Sequence, residues 1–325
     1  MIQVLQSGIQ TSIQDLGRWG SQSFGIGVGG SMCRYSTAIV NLLVGNSIDA
    51  PVLELVQSPH NFLFGKETII SFSGGGMIPT ANGVELALNR PHCIEAGTLV
   101  KIKKPIAGFR LYMAVAGGFE ASEFLGSYAT HFATNSGGFE GRIIQKGDVL
   151  NFNEVTSPIS DNIKKNLKKK GYFKINGIAF AMPQSNEIRV IKGVNFDLLN
   201  EESQKAFSIN SFIISNNSNR MGYRLNGIPL WQKQPTEMIS SAVTMGTIQL
   251  LPDGHLITLM PDCQTVGGYP KIAHIIEADF IKCAQIKPGD SISFSIISML
   301  EAEKLLERQS NKIQLLQNLI IQNFS

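Results

Sequence analysis

Val266-Gly267-Gly268-Tyr269, followed by Pro288-Gly289-Asp290-Ser291-Ile292-Ser293-Phe294, is the part of the sequence on which the fold turns. An earlier part repeats its grammar: Ala116-Gly117-Gly118-Phe119, then Lys146-Gly147-Asp148-Val149-Leu150-Asn151-Phe152. In each half a Gly-Gly turn comes first, and a Gly-Asp turn then opens an alternating apolar run. Gly-Asp beside such a run reads as a tight connection into a strand, because glycine accepts the backbone that the turn needs. The same order twice in 325 residues implies two related β domains.

Outward from these turns, residues 51–152 read as short β runs, with 68–72, 99–103 and 110–115 the clearest, each flanked by Gly, Pro or Asn. Sheet closure or sandwiching is the expected outcome. Residues 2–5 form a short opening strand, and a second β-rich stretch runs from 187 to 294. One helix is expected in the first half, over 32–44, with Ser31 as its cap and Gly45 as its left-handed stop. The domain boundary falls at 156–186, where Pro158, Pro183 and the lysines at 164, 165, 168, 169, 170 and 174 crowd together. That basic block reads as a solvated linker or exposed helix face. The division is therefore 1–155, a linker over 156–186, 187–296, and a C-terminal helix over 297–325. In that helix Leu306, Ile313 and Ile320 repeat at seven, which suits packing on its own body or, alternatively, against a further protein chain.

Composition narrows the function. Hydrophobic residues make up 43%, charged residues 16%, and there are 32 glycines, a balance that suits strands and turns. A net charge of +3 gives no argument for nucleic acid. No apolar run reaches the ~20 residues of a membrane helix, and the first 14 residues lack the pattern of a secretory leader. Four scattered cysteines, 33, 93, 263 and 283, without Cys-x-x-Cys spacing, argue against zinc and for a reducing, cytoplasmic setting.

Several catalytic motifs are absent or misplaced. Gly25, Gly27 and Gly30 match G-x-G-x-x-G, but no βαβ unit surrounds them; the loop is either structural or an anion site at a helix start. Ser73-Gly74-Gly75-Gly76 lacks the ending of a P-loop, so this chain has no recognised ATP site of its own. Neither G-x-S-x-G nor H-E-x-x-H occurs. Three polar runs remain: Gln14-Asp15-Leu16-Gly17-Arg18, Asn219-Arg220-Met221-Gly222-Tyr223-Arg224-Leu225, and Asp262-Cys263-Gln264-Thr265-Val266-Gly267-Gly268-Tyr269-Pro270-Lys271. Each is either a salt-bridged turn or a functional loop on a rigid scaffold. In the functional reading Arg and Gln hold an amide oxygen as negative charge develops, Asp orients an Arg, and Lys moves a proton.

These runs also carry a resemblance. With Asn41-Leu42-Leu43-Val44-Gly45-Asn46, Tyr112-Met113-Ala114-Val115-Ala116-Gly117-Gly118 and Gly137-Gly138-Phe139-Glu140-Gly141-Arg142, they resemble the biotin-dependent carboxyltransferase and allophanate hydrolase subunit 2 family, within it the branch formed by the C subunits of 5-oxoprolinase. The resemblance runs to about residue 295. It implies a mainly β protein of two cyclophilin-like β-barrel domains, with a few short helices and the C-terminal helix. It implies an ATP-dependent complex with A and B subunits that opens the lactam of 5-oxoproline to glutamate. ATP would be a cofactor of the complex. Some relatives are carboxyltransferases acting on urea-like amides with carboxybiotin, and others are described as antagonists of a kinase inhibitor. This chain has no Met-Lys-Met biotin-attachment sequence, so it carries no covalent biotin. The motif positions propose Arg220, Lys271, Asp262 and Gln264 as catalytic, and Asp15, Arg18, Tyr269, Gly267 and Gly268 as substrate-binding. Asp15 or Asp262 would position an Arg. At Cys33, His131 and Asn219 this chain departs from the aspartates that the family carries.

Overall fold

In the computed structural model both Gly-Asp sequences form the same turn. The N–H of Asp148 donates to Gln145 O (3.2 Å) and that of Asp290 to Lys287 O (3.1 Å). Each Asp carboxylate also accepts from the N–H that opens the turn, at 2.7 Å from Gln145 and 3.0 Å from Lys287. Gly147 and Gly289 have φ of +99° and +89°, the left-handed position that glycine fills without a clash. The turns also join their strands alike: Gly147 N–H reaches Val4 O (2.8 Å) and Gly289 N–H reaches Ile214 O (2.9 Å).

The structure describes all residues except 58, 104–107, 172 and 174–184. Lys174 and Pro183, part of the expected linker, lie outside the described residues. By its contacts the chain divides into two units: residues 1–18, 33–182 and 310–325, and residues 19–32 and 183–309.

Among the described residues the first unit holds eleven strands. They are β1 (Ile2–Gln6), β2 (Ser12–Gln14), β3 (Val52–Val56), β4 (His60–Phe64), β5 (Thr68–Gly74) and β6 (Pro79–Ala81). They continue as β7 (Val84–Glu85), β8 (Pro91–Ile94), β9 (Leu99–Ile102), β10 (Arg110–Val115) and β11 (Val149–Leu150). One sheet has the order β11-β1-β4-β9-β6-β7 and the other β2-β3-β10-β5-β8. Ile2, Val4, Phe62, Phe64, Phe72 and Met113 are buried in their shared core.

Helix α1 (Arg34–Leu43) packs on β5 and β10. Its cap is Cys33, not the expected Ser31: the Cys33 sulfur accepts from the Ser36 N–H at 3.4 Å. Its end is the expected Gly45, at φ +78°. Gly45 N–H reaches Leu42 O and Asn46 N–H reaches Asn41 O, the paired bonds of a Schellman stop.

The lysine block falls on helix α2 (Pro158–Lys170), with Pro158 in its first turn and Gly171 closing it. Lys168, Lys169 and Lys170 sit in the last turn, where cations favour the dipole. Lys164 (3.1 Å) and Lys168 both bridge Glu67.

The second unit contains β12 (Glu187–Lys192), β13 (Ser211–Ile214), β14 (Gly222–Asn226), β15 (Ser241–Ala242) and β16 (Thr247–Leu250). β17 (Leu256–Leu259), β18 (Val266–Gly267), β19 (Lys271–Ile275) and β20 (Ser291–Ile296) complete it. Seven strands close a barrel in the order β12-β19-β16-β17-β14-β13-β20, and a parallel pairing of β12 with β20 seals the ring. β15 and β18 form a separate two-stranded ribbon.

Two helices interrupt this β-rich stretch. In α3 (Glu201–Ile209) the Asn200 side chain caps Ser203 N–H at 2.8 Å. The four-residue α4 (Phe280–Cys283) follows β19. The tail is α5 (Met299–Phe324), whose last half belongs to the first unit. There Phe324 stacks on Phe173 at 5.4 Å, and Leu316 and Ile320 are buried, so this half packs on its own chain. No described helix is long and apolar enough to cross a membrane.

Candidate functional site

On the second unit a depression of about 520 Å³ opens over the barrel. Asn219, Arg224, Gln249, Asp253, Gln264 and Tyr269 are among its lining residues. Of the residues proposed from sequence, Gln264 and Tyr269 thus come together.

The neighbouring loop is held from both ends. Gln249, 1% exposed on β16, donates its amide to Tyr269 O at 3.4 Å. A Cβ at Gly267 would stand 2.7 Å from Gln249 Nε2, so a side chain there would displace the end of that amide. Gly267 pairs with Ser241 in the β15–β18 ribbon, and a Cβ at Gly268 would lie 3.2 Å from Ser240 Oγ. Lys271 ties the other strand of the ribbon: its Nζ donates to Ser241 Oγ (2.5 Å) and Ala242 O (3.0 Å).

Arg220 and Asp262 form a buried two-pronged pair. Arg220 Nε reaches Oδ2 at 2.8 Å and NH2 reaches Oδ1 at 3.0 Å, while NH2 also reaches Gly30 O at 2.5 Å. Arg220 therefore fastens three chain segments of this unit. The pKa of the Cys263 thiol, beside the pair, is pushed up to about 12, by burial first and the Asp262 charge second. The glycine-rich segment ending at Gly30 is strapped to the same place, with Gly29 N–H on Pro261 O at 3.0 Å. A Cβ at Gly27 would sit 2.6 Å from Cys263 O, so Gly27 serves close backbone packing.

Asp15 and Arg18 lie in the first unit. Asp15 accepts from Ser127 Oγ (2.7 and 2.9 Å) and from the N–H groups of Tyr128 (2.6 Å) and Gly17 (2.7 Å). Arg18, fully buried, donates to Ala129 O at 2.5 Å and Phe124 O at 3.4 Å, and lies 5.4 Å from the centre of the Phe124 ring. Of the two aspartates proposed to position an Arg, Asp262 is the one bonded to an Arg; the bonds to Asp15 come from a hydroxyl and backbone amides.

The three positions that depart from aspartate all do local work. Cys33 caps α1. His131 Nδ1 bonds Thr134 Oγ1 at 2.7 Å inside a turn. Asn219 Oδ1 accepts from Met221 N–H at 2.8 Å. At 33 and 219 an Asp could accept from the same backbone N–H groups, those of Ser36 and Met221.

Sequence reasoning overlooked Gln249 and Arg224. Gln249 is a polar residue inside the apolar run Ile248-Gln249-Leu250, a signal that marks a buried amide with a job. Arg224 stands inside one of the three polar runs, four residues from Arg220.

Residues 24–296 match the family described as carboxyltransferase domain, subdomain A and B. The chain belongs to that family. It is 34% identical over 315 residues to the C subunit of 5-oxoprolinase from Haemophilus influenzae, covering 97% of this chain and 96% of the relative. It is 34% identical over 311 residues to the C subunit of 5-oxoprolinase from Escherichia coli, covering 95% of each. The crystal structure of K. lactis urea amidolyase superposes with a TM-score of 0.84 at 30% identity over 97% of this chain. This chain spans 20% of that larger protein.

Proposed function

We propose that this chain is the C subunit of an ATP-dependent 5-oxoprolinase, acting with A and B subunits to open the lactam of 5-oxoproline to glutamate. The observation that carries the reading is end-to-end likeness: 34% identity to two proteins of that name, over at least 95% of each partner in the comparison. ATP would be used by the complex. The four free cysteines suit a cytoplasmic complex.

The depression on the second unit would receive the amide. Gln264 and Tyr269 line it and carry donors and acceptors suited to a lactam. Arg220, Asp262 and Lys271 would hold the loops that shape it, as their bonds to Gly30, Ser241 and Ala242 support. Asp15 and Arg18 would brace the first unit, as their bonds to the 124–129 segment support. We further read both units as cyclophilin-like β domains. The matching Gly-Asp turns, each entering a strand paired with a neighbour (β1 with β11, β13 with β20), support that kinship.

A second reading, carboxyl transfer from carboxybiotin to a urea-like amide, is favoured by the superposition on urea amidolyase. Biotin would then arrive on another protein.

Co-expression with the A and B subunits, followed by ATP hydrolysis dependent on 5-oxoproline, tests the proposal. Turnover that needs all three chains is expected. Turnover that persists without this chain would remove it, and a stable complex active only with a carboxylated biotin carrier would favour the second reading.

A further inference from the structure

We infer that Arg224 is the residue that receives the carboxylate of the substrate in the depression of the second unit, an assignment that rests on the 5-oxoprolinase reading. Four other arginines are engaged elsewhere. Arg220 grips Asp262, Arg142 grips Glu140 and Asp148, Arg189 grips Asp279, and Arg18 donates to backbone carbonyls. Among the described residues the Arg224 guanidinium has no ion pair and no hydrogen bond. Its side chain is exposed to solvent and lines the depression.

The backbone beneath it is firm. Arg224 lies in β14, paired with Ile257 of β17 within the closed barrel. Its N–H donates to Ser218 Oγ (3.0 Å), and its carbonyl accepts from Ser215 N–H (2.8 Å). A guanidinium on such a strand presents a planar, permanently charged fork that matches a carboxylate. The rest of the lining suits the other end of the ligand. Asn217, Asn219 and Gln264 bring amides, while Met221 and Ile257 bring apolar surface for a ring. Asp253, the one acidic lining residue, offers an acceptor for a lactam N–H. The ligand class is thus a small cyclic amide bearing one carboxylate. Urea, being neutral, would leave the guanidinium unmatched.

The test uses the reconstituted three-chain complex, with wild-type chain, Arg224→Gln and Arg224→Lys. KM and kcat are measured for 5-oxoproline, and the inhibition constant for its neutral carboxamide, which has the same ring without the charge. A charge-assisted bond predicts that Arg224→Gln raises KM for 5-oxoproline about 10- to 100-fold. The change in kcat and in carboxamide affinity should stay within a few-fold, and Arg224→Lys should recover part of the loss. Unchanged KM, or equal weakening of acid and carboxamide, overturns the assignment while the 5-oxoprolinase reading stands. A wild-type complex without 5-oxoproline turnover overturns the reading and the assignment together.

Discussion

Arg220 meets Asp262 side-on, through two hydrogen bonds of 2.8 and 3.0 Å, with the arginine side chain 3% and the aspartate 12% exposed. Burial makes the pair unforgiving, because removing one partner leaves the other charge without compensation. Arg220→Met should lower stability by about 3 kcal/mol or more in urea unfolding. Arg220→Lys should recover only part, since a single ammonium cannot copy the fork. A loss below about 1 kcal/mol, the size seen for exposed pairs, would contradict this account.

His60 makes stability depend on pH. Its ring is fully buried against Thr11 Oγ1 at 2.8 Å, and burial lowers its pKa from 6.5 to about 4. A depressed histidine stabilises the fold fully above the unfolded pKa, and that stability is lost as pH falls from 6.5 towards 4, because the unfolded chain takes up the proton first. From pH 7 to pH 5 the loss should be about 2 kcal/mol. His92 and His274 are also lowered by burial and act in the same direction. The informative quantity is therefore the difference between wild type and His60→Gln, whose stability should fall less steeply over that range.

Gly267→Ala should harm the site more than the fold. The new methyl would press on Gln249 Nε2, the group that holds Tyr269 O. Expected is a KM raised about tenfold, with the unfolding midpoint nearly unchanged, since the strain can be relieved by moving the loop. Gln249→Ala in the same background should remove the clash without restoring KM, because the bond to Tyr269 O goes with it.

Cys33→Ala should cost about 1 kcal/mol through loss of the α1 cap, measurable by thermal unfolding. Cys33→Ser, which keeps an acceptor at the same place, should cost less. Equal losses would mean that the sulfur contributes by packing alone.

The sequence showed its turns more clearly than its helices. Gly147-Asp148 and Gly289-Asp290 were legible because a turn is written in adjacent residues, and the structure gives both the same bonds. The Gly-Gly part of the echo does not carry over. Gly117 and Gly118 have φ of +89° and +74°, whereas Gly267 lies in strand β18, and neither Gly267 nor Gly268 adopts a left-handed φ. Two glycines can serve a turn in one place and a close approach in another, and the letters alone do not separate these uses. Helix α3 was hidden because its nine residues sit within a β-rich stretch, and its cap at Asn200 was its main local mark. At the site, Arg220 and Asp262 were visible as polar residues in glycine-containing loops, but their mutual bond was not. Arg224 differs from Arg220 only in what surrounds it, which is a property of the folded chain.

A ring of seven strands has no first and no last strand, so the barrel offers no free backbone edge for another chain to extend. A protein that joins the barrel must therefore read side chains and loops, and the free strand edges of this unit lie in the β15–β18 ribbon. The two sheets of the first unit do end, at β7 and β8 among others, and there main-chain amides could be shared with a neighbour. Recognition by the barrel is thus bound to side-chain identity, while the sheets of the first unit can also engage a partner through geometry that any extended segment would satisfy.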